Sequence, residues 1–339
     1  MVALTHSRGA RIGALLAFTC LGLAAAGCGS SSPSGTSAKT PSGTANVAYA
    51  SSLQFLNTEV VAPAFTKAEG FKYSGTSGAA GTLSSEIAAN ELPNTNVFES
   101  VGSDNITPLE PKFTHWYVQY AGNKMVVAYN PKSKYAPEFK AIADGQKPLK
   151  DLFTLLETPG LKLGRTDPNI DPQGRYFIEM LELAQMYYHL PADTVTKIIG
   201  SPIASPTSSQ IYAESSLDST LQSGQLDAAS AYYTQAIELH LDYIPLPTAI
   251  NLGSAADAAQ YGKASITTTS GGSKSVHSGA PLVLDITIIG KATPAAIAFV
   301  KYTLSAAGIA QYKTGGFTLL TPTGFGTGIP GAIKSELGG

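Results

Sequence analysis

The sequence of 339 residues predicts an α/β fold in two lobes. From Ala45 onward, short β-rich apolar runs alternate with segments of helical periodicity, which is typical of strands joined by crossover helices. Hydrophobic residues make up 43% of the chain, which is enough apolar material for a sizeable core. About 290 residues of this kind are more than one sheet requires, so we expect two lobes.

Three strands and two helices alternate in the first part of the folded chain. Strands are predicted at residues 47–50, 71–74 and 96–101, and helices at residues 53–68 and 83–92, where apolar residues recur at helical spacing. Parallel strands need crossover connections, and a βαβαβ order provides them. We therefore expect these three strands to lie parallel in one sheet.

The same alternation continues through the rest of the chain. Further strands are predicted at residues 116–120, 124–129, 161–164, 210–213, 228–231, 243–246 and 282–289. Further helices are predicted at residues 174–188, 216–222, 234–239, 293–304 and 308–313. No internal repeat of fixed period is found, so the sequence does not indicate a solenoid.

The N-terminal residues 1–28 predict a secretion signal. Arg8 and Arg11 belong to a short basic start, an apolar run of about 15 residues follows, and small residues lead to Cys28. The pattern resembles a bacterial lipoprotein signal with Cys28 as the lipidated residue, which predicts an extracytoplasmic protein anchored to the cell membrane. Simple cleavage that releases a soluble secreted protein is the alternative. Residues 29–45 are rich in Ser, Gly, Thr and Pro and predict a flexible tether.

Charge and cysteine content exclude several kinds of partner and site. The chain has 22 basic and 24 acidic residues, so it lacks the positive excess that would bind nucleic acid. Cleavage before Cys28 leaves 20 basic and 24 acidic residues. The same cleavage removes Cys20, so the folded part has no free thiol once Cys28 is lipidated. A disulfide scaffold and a cysteine-rich metal site are both excluded.

The short motifs of common enzymes are missing, and the sequence predicts no enzyme and no cofactor. No phosphate-binding loop and no His-Glu-x-x-His motif occurs, and the five histidines are scattered along the chain. Residues 75–79 come near a nucleophile elbow, but Ala79 stands where the second glycine belongs. These absences lower the expectation of catalysis without excluding it.

Three polar segments follow predicted strands and precede predicted helices, at residues 50–53, 74–82 and 166–174. Helix N-termini have unpaired N–H groups and a partial positive charge, so they attract anions. Ser52, Ser77 and Asp171 can also serve simply as helix caps. Three such segments at the carboxyl ends of parallel strands nevertheless favour a ligand crevice.

Several segments together resemble the molybdate/tungstate-binding proteins of ABC importers, in the archaeal-type branch. The resemblance covers residues 47–325, and the Asp-Pro-rich segment is its most specific part. The matching segments are Tyr49–Leu53, Trp116–Tyr120, Met125–Asn130, Gly164–Gly174, Leu183-Ala184, Tyr187-Tyr188, Gln222–Asp227, Ala231-Tyr232 and Ile244–Pro247.

The resemblance implies a type II periplasmic-binding-protein-like fold, with two lobes, each a mixed sheet flanked by helices, joined by crossing strands. Lobe 1 would comprise residues 46–121 and 248–339, and lobe 2 residues 122–247. It further implies a monomer that binds a small oxyanion between the lobes, and an ABC permease as its partner in the membrane.

The resemblance also implies the ligand-binding residues. Hydroxyl and amide donors would come from the first two loops, and two carboxyls and a tyrosine from the second lobe. These residues are Ser52, Ser77, Gly78, Asp171, Glu214 and Tyr232. In the second of the two donor loops, Ser77 would provide the hydroxyl and Gly78 a backbone N–H.

Two carboxylates facing a dianion need a physical reason, because like charges about 4 Å apart repel by roughly 4 kcal/mol at an effective dielectric constant near 20. Molybdenum and tungsten provide one, since they can expand their coordination and bind carboxylate oxygens, whereas sulfur and phosphorus cannot. Considered alone, Asp171 could be a helix cap and Glu214 a solvated acid. Two other hypotheses stay open: a binding protein for sulfate or an organic anion, and an exported hydrolase using Asp171 and Glu214 as acid and base.

Overall fold

The computed structural model describes residues 41–270 and 272–338. The predicted signal with Cys28, and residues 29–40 of the predicted tether, lie outside the described residues. The predicted end of the tether at residue 45 was wrong, because the first strand begins at Thr44 and Ala45 is buried in the core. Across the described part of the chain, no helix combines the length and the apolar character needed to cross a bilayer.

Twelve strands are present in the described residues, in a six-stranded sheet, a four-stranded sheet and a two-stranded hairpin. We call the part built on the six-stranded sheet lobe 1 and the part built on the four-stranded sheet lobe 2. The strands are β1 (Thr44–Ala50), β2 (Lys72–Gly78), β3 (Val97–Val101), β4 (Trp116–Gly122), β5 (Met125–Tyr129), β6 (Leu163–Gly164), β7 (Ala228–Tyr232), β8 (Asp242–Ile244), β9 (Ser265–Ser270), β10 (Ser273–Ser278), β11 (Val283–Ile288) and β12 (Thr318–Gly326).

Helices pack against both sheets. The α-helices are α1 (Ala62–Glu69), α2 (Ala80–Ala88), α3 (Ala136–Ala143), α4 (Asp151–Leu156), α5 (Pro172–Tyr187), α6 (Thr194–Ile199), α7 (Glu214–Gln222), α8 (Tyr233–Glu238), α9 (Thr248–Asn251), α10 (Ala258–Tyr261), α11 (Pro294–Leu304), α12 (Ala306–Thr314) and α13 (Gly331–Lys334). Short 3₁₀ turns lie at Ser51–Leu53, Ser103–Asn105, Thr107–Leu109 and Ala255–Asp257, and a π-helical segment at Leu56–Val61.

The sheet of lobe 1 has the strand order β12-β4-β11-β3-β1-β2. β1 is parallel to both β2 and β3, which confirms the parallel βαβαβ opening. β11 is antiparallel to its neighbours β3 and β4, so the sheet is mixed. β3 is buried along its whole length, because other layers cover both faces of the sheet. In the core beneath α1 and α11, the rings of Phe65 and Phe299 meet edge to face with centroids 5.2 Å apart.

The sheet of lobe 2 has the order β6-β7-β5-β8 and is also mixed. β6 is parallel to β7, whereas β5 is antiparallel to both β7 and β8. The chain leaves the first sheet after β4 and returns to it at β11, so two connections join the lobes. These crossings, with two mixed sheets, confirm the predicted fold class. The residue boundaries predicted for the lobes remain predictions.

The helix predicted at residues 53–68 is confirmed, since residues 51–69 are helical without a break, as a 3₁₀ turn, a π-helical segment and α1. Pro63 has no N–H to donate to the carbonyl four residues earlier, and it lies in the first turn of α1, just after the π-helical segment. One strand prediction was wrong. The strand predicted at residues 210–213 is only a single bridge between Arg165 and Ile211, since the second sheet already ends at β6.

The sequence prediction also missed the β9–β10 hairpin and the edge strand β12. Gly271 and Gly272 between two runs rich in Ser and Thr are a hairpin signal that could have been recognised. β12 carries glycines and a proline, which are unfavourable in a central strand but tolerated at an edge. Its pairing with β4 therefore depends on tertiary structure more than on local propensity.

Candidate functional site

A cleft of about 510 Å³ lies between the lobes, at the carboxyl ends of strands β1 and β2. Ser77 and Gly78 line it from lobe 1, and Asp171 and Glu214 line it from lobe 2. Four of the six predicted ligand-binding residues therefore face one cavity, although they are up to 137 positions apart in the sequence.

Asp171 caps the N-terminus of α5 and is only 4% exposed. Its Oδ1 accepts a hydrogen bond from the backbone N–H of Gln173 at 2.9 Å, and Pro172 occupies the first helical position, where no N–H is needed. Burial raises the pKa of Asp171 to about 6, although the Gln173 N–H and the positive charge of Arg175 oppose the rise. The capping role is therefore real, and the residue also faces the cleft.

Glu214 is the first residue of α7 and is 6% exposed. Burial raises the pKa of Glu214 well above its ordinary value, and the nearby charges of Asp171 and Asp218 add to the rise. The amide of Gln235 and the backbone of Ser52 oppose it. Because the charge of Asp171 raises the pKa of Glu214, the two carboxyls lie close enough to interact. Ionising both of them is therefore costly.

Two buried glutamines hold Glu214 in place. Nε2 of Gln235 donates to Glu214 Oε1 at 2.8 Å, and Nε2 of Gln173 donates to the same oxygen at 3.3 Å. Nε2 of Gln173 also donates to Gln235 Oε1 at 2.8 Å, and Gln173 Oε1 accepts from Ser230 Oγ at 2.9 Å. Among the described residues, no side chain donates a hydrogen bond to Glu214 Oε2.

The sequence prediction did not include these glutamines in the site. Gln173 lies two positions after Asp171 in the Asp-Pro segment, and Gln235 lies three positions after Tyr232. A glutamine at the third position of a helix is a known capping signal, and Gln235 does accept from the Tyr232 N–H at 3.0 Å. Neither position reveals that the two amides would converge on Glu214.

Tyr232, the last residue of β7, is 1% exposed and does not line the cleft itself. Its hydroxyl has no hydrogen-bond partner within residues 41–270 and 272–338. Burial, then the charges of Glu214 and Asp171, raise the pKa of Tyr232 well above its ordinary value, so the phenol remains protonated. It is thus an unpaired buried donor beside the two carboxyls, which is energetically unfavourable unless a partner arrives.

The lobe 1 side of the cleft is formed by the turn after β1 and the end of β2. Ser52 is buried in that turn, and its backbone is close enough to Glu214 to lower the pKa of that carboxyl. Ser77 is exposed and its Oγ donates to Gln54 Oε1 at 3.0 Å. The donor roles of Ser52, Ser77 and Gly78 remain predictions.

The two lobes touch directly at the edge of this cleft. The backbone N–H of Gly81, in the first turn of α2, donates to the carbonyl of Ile170 at 3.1 Å. A Cβ atom at Gly81 would lie 2.6 Å from that carbonyl oxygen, which is closer than real Cβ contacts permit. Glycine at this position therefore allows lobe 1 to approach the Asp-Pro segment of lobe 2.

A second interlobe contact lies one turn further along α5. Arg175 forms an ion pair with Asp104, in the 3₁₀ turn after β3, and its Nη1 is 2.8 Å from His277 Nδ1 on β10. Burial opposes ionisation of Asp104, but the hydrogen bond to His277 and the charge of Arg175 hold the pKa of Asp104 below its ordinary value. This pair adds to the contact between the lobes outside the predicted site.

Residues 45–318 match the family model described as bacterial extracellular solute-binding protein. The chain belongs to this family. It is 30% identical to the molybdate/tungstate-binding protein WtpA of Thermococcus kodakarensis, over 96% of each chain. It is 32% identical to the protein of the same name from Pyrococcus abyssi, over 66% of this chain and 68% of that one. The resemblance inferred from the sequence motifs is therefore confirmed.

Solved structures with the same fold include the periplasmic molybdate-binding protein of Azotobacter vinelandii, with a TM-score of 0.52 and 19% identity over 81% of this chain and 99% of that one. The sulfate-binding protein SubI of Mycobacterium tuberculosis H37Rv also gives a TM-score of 0.52, with 14% identity over 87% of this chain and 89% of that one. At these identities the likeness concerns the fold alone. This solute-binding protein therefore has the two-lobed, type II periplasmic-binding-protein-like architecture.

Proposed function

We propose that this solute-binding protein captures molybdate or tungstate in the interlobe cleft and delivers it to an ABC permease. The observation that carries the proposal is the pair of buried carboxyls, Asp171 and Glu214, which line one cleft opposite the polar loops of lobe 1. The names of the two relatives from Thermococcus and Pyrococcus agree with this ligand class.

The carboxyl pair favours an oxyanion of a heavy metal over sulfate or phosphate. Two carboxylates repel a dianion, unless its central atom accepts their oxygens as ligands. Tungsten and molybdenum can expand their coordination in this way, whereas sulfur and phosphorus in their oxyanions cannot. Glu214 suits this role, because its Oε2 receives no hydrogen bond from any side chain of the described residues.

Donors around the carboxyls would bind the oxygen atoms of the ligand. The Tyr232 hydroxyl is buried beside Glu214 without a partner, so an arriving oxyanion oxygen would relieve an unfavourable state. Ser52, Ser77 and Gly78 would contribute hydroxyl and backbone N–H groups from lobe 1. Closure of the lobes over the ligand would bring these two sets together.

The proposal includes the protein's location and state. A lipid on Cys28 would anchor it outside the cytoplasmic membrane, residues 29–43 would act as the tether, since β1 begins at Thr44, and a monomer would dock on the permease. A family of extracellular solute-binding proteins is consistent with that location. Mass spectrometry of the mature N-terminus tests the anchor, and an unmodified cysteine or an N-terminus elsewhere would refute it.

Titration calorimetry with tungstate, molybdate, sulfate and phosphate tests the ligand. We expect tight binding of the first two ions, which Asp171→Ala and Glu214→Ala each abolish. Asp144→Ala is the matched control, because among the described residues this surface carboxyl of lobe 2 pairs with Lys140 alone, and its loss should leave affinity unchanged. Wild-type binding of both metal oxyanions by the two site variants would contradict the proposed site, and preference for sulfate would contradict the ligand.

A further inference from the structure

We propose that Gln173 and Gln235 are positioning residues, which hold Glu214 by one carboxyl oxygen and leave the other free to bind the ligand. The inference rests on the proposed function, since it concerns how the same site is made ready for an oxyanion. It assigns a role in ligand binding to two residues that do not line the ligand side of the cleft.

The orientation of both amides follows from the hydrogen-bond network. The backbone N–H of Tyr232 can only donate, so the atom of Gln235 facing it at 3.0 Å is Oε1. Nε2 of Gln235 must then face Glu214, at 2.8 Å from Oε1. Gln173 places Nε2 near Gln235 Oε1 and Glu214 Oε1, which leaves its own Oε1 for the Ser230 hydroxyl. In each of these hydrogen bonds a donor faces an acceptor, so flipping either amide would bring two donors or two acceptors together.

Both amides donate to the same oxygen of Glu214. This arrangement restrains the carboxyl group and satisfies Oε1, while no side chain among the described residues donates to Oε2. The backbone N–H of Ser52, on the lobe 1 side of the cleft, is a further donor near the carboxyl. Another buried glutamate shows the alternative: Glu99 accepts from Asn57 on Oε2 and from Tyr120 and Tyr312 on Oε1, so both of its oxygens are used. Glu99 is thus satisfied on both oxygens, whereas Glu214 receives both of its amide donors on one.

Amide donors stabilise the ionised carboxylate more than the neutral acid. Losing one donor should therefore make Glu214 retain its proton to a higher pH, and a protonated carboxyl is a poor metal ligand. The charged and titratable groups that face Glu214 are Asp171 before α5, Asp218 on α7, Tyr232 on β7 and, through Asp171 and Tyr232, Arg175 on α5. Glu59 and Glu238 share an adjoining cavity with it. None of these groups changes in the glutamine variants.

Calorimetry with tungstate from about pH 6 to about pH 9 tests the proposal in the full-length protein. Gln173→Met and Gln235→Met keep the side-chain length but remove the donor. We expect each to lower affinity on the order of tenfold at the acidic end of this range, with the difference shrinking as pH rises, because the carboxyl that lacks a donor retains its proton to a higher pH. A role in packing alone would lower affinity equally at every pH.

Gln185→Met is the matched control, because Gln185 is half-buried on the same helix, twelve positions and about 18 Å beyond Gln173. It should bind tungstate as wild type does at every pH. Thermal unfolding identifies which variants are folded. One folded glutamine variant suffices for the test, and because Gln173 and Gln235 lie on different helices, a failure of one variant to fold does not imply failure of the other.

The outcomes separate the two proposals. A wild-type protein that binds no tungstate overturns the proposed function and this inference with it. Wild-type binding together with glutamine variants whose affinity is unchanged, or is lowered equally at every pH, overturns the inference alone. A deficit that shrinks with rising pH supports both.

Discussion

Each lobe buries a glutamate, and the two are satisfied in opposite ways. Glu99 in lobe 1 is fully buried and accepts hydrogen bonds on both carboxyl oxygens, from one asparagine and two tyrosines. Glu214 in lobe 2 is almost as buried, but its two amide donors share one oxygen. Burial raises the pKa of both. The comparison teaches that burial alone does not mark a ligand-binding carboxyl, since Glu214 differs from Glu99 in lining the interlobe cleft beside Asp171 with both amide donors on one oxygen.

The largest expected effects come from changing each glutamate to glutamine. Glu214→Gln should lower tungstate affinity at least 100-fold, or about 2.7 kcal/mol, without destabilising the fold, because burial raises the pKa of Glu214 and the amide removes the cost of ionising it. Glu99→Gln should leave affinity unchanged but destabilise the fold by about 1–3 kcal/mol, because an amide cannot accept from all three donors. Calorimetry and urea unfolding measure the two quantities, and equal behaviour of the variants would break the comparison.

Asp171 offers a test by pH in the absence of ligand. Its pKa of about 6 in the folded protein exceeds its ordinary value of 3.8, so between these pH values the folded protein binds more protons than the unfolded chain. Its contribution to stability is therefore lost as pH rises from about 4 to about 6. Asp171→Asn keeps the helix cap and removes this loss. At pH 7 the variant should be about 1–3 kcal/mol more stable than wild type.

Urea unfolding at pH 4 and pH 7 measures that difference. The advantage of Asp171→Asn should be smaller at pH 4, because the folded-state carboxyl is still protonated there and most of the loss of stability occurs at higher pH. An advantage of equal size at the two pH values, or none, would show that burial of Asp171 does not strain the ligand-free fold. Asp171→Asn should also lose tungstate affinity. Asp171 would then serve ligand binding at the expense of stability.

The smallest expected effect concerns closure between the lobes. Gly81→Ala places a Cβ 2.6 Å from the Ile170 carbonyl oxygen, so the lobes can no longer approach fully. We expect affinity about tenfold lower, or about 1.4 kcal/mol, although alanine favours the helix itself. Gly331→Ala is the control: it also lies in the first turn of a helix, and its Cβ would meet nothing within 4 Å. Equal affinity of both variants would exclude Gly81 as a closure contact.

Local sequence signals predicted much of the framework. The apolar runs of β1, β3, β5 and β11 and the helical periodicity of α5 and α11 depend on neighbouring residues, and the structure has these elements within a few residues of their predicted bounds. The helix predicted at residues 53–68 also formed, with a π-helical segment just before Pro63. The edge strand β12 gave no usable signal, because its pairing is with β4, about 200 positions earlier.

The sequence by itself determined the α/β class, the parallel opening of the first sheet and the capping of α5 by Asp171, since each follows from residues only a few positions apart. Only the tertiary structure decided that Gln173 would meet Glu214 and Gln235, which lie 41 and 62 positions away. Local propensity cannot determine such contacts, because they depend on how helices and strands pack. The state of Glu214, held by one oxygen and open at the other, is a property of that packing.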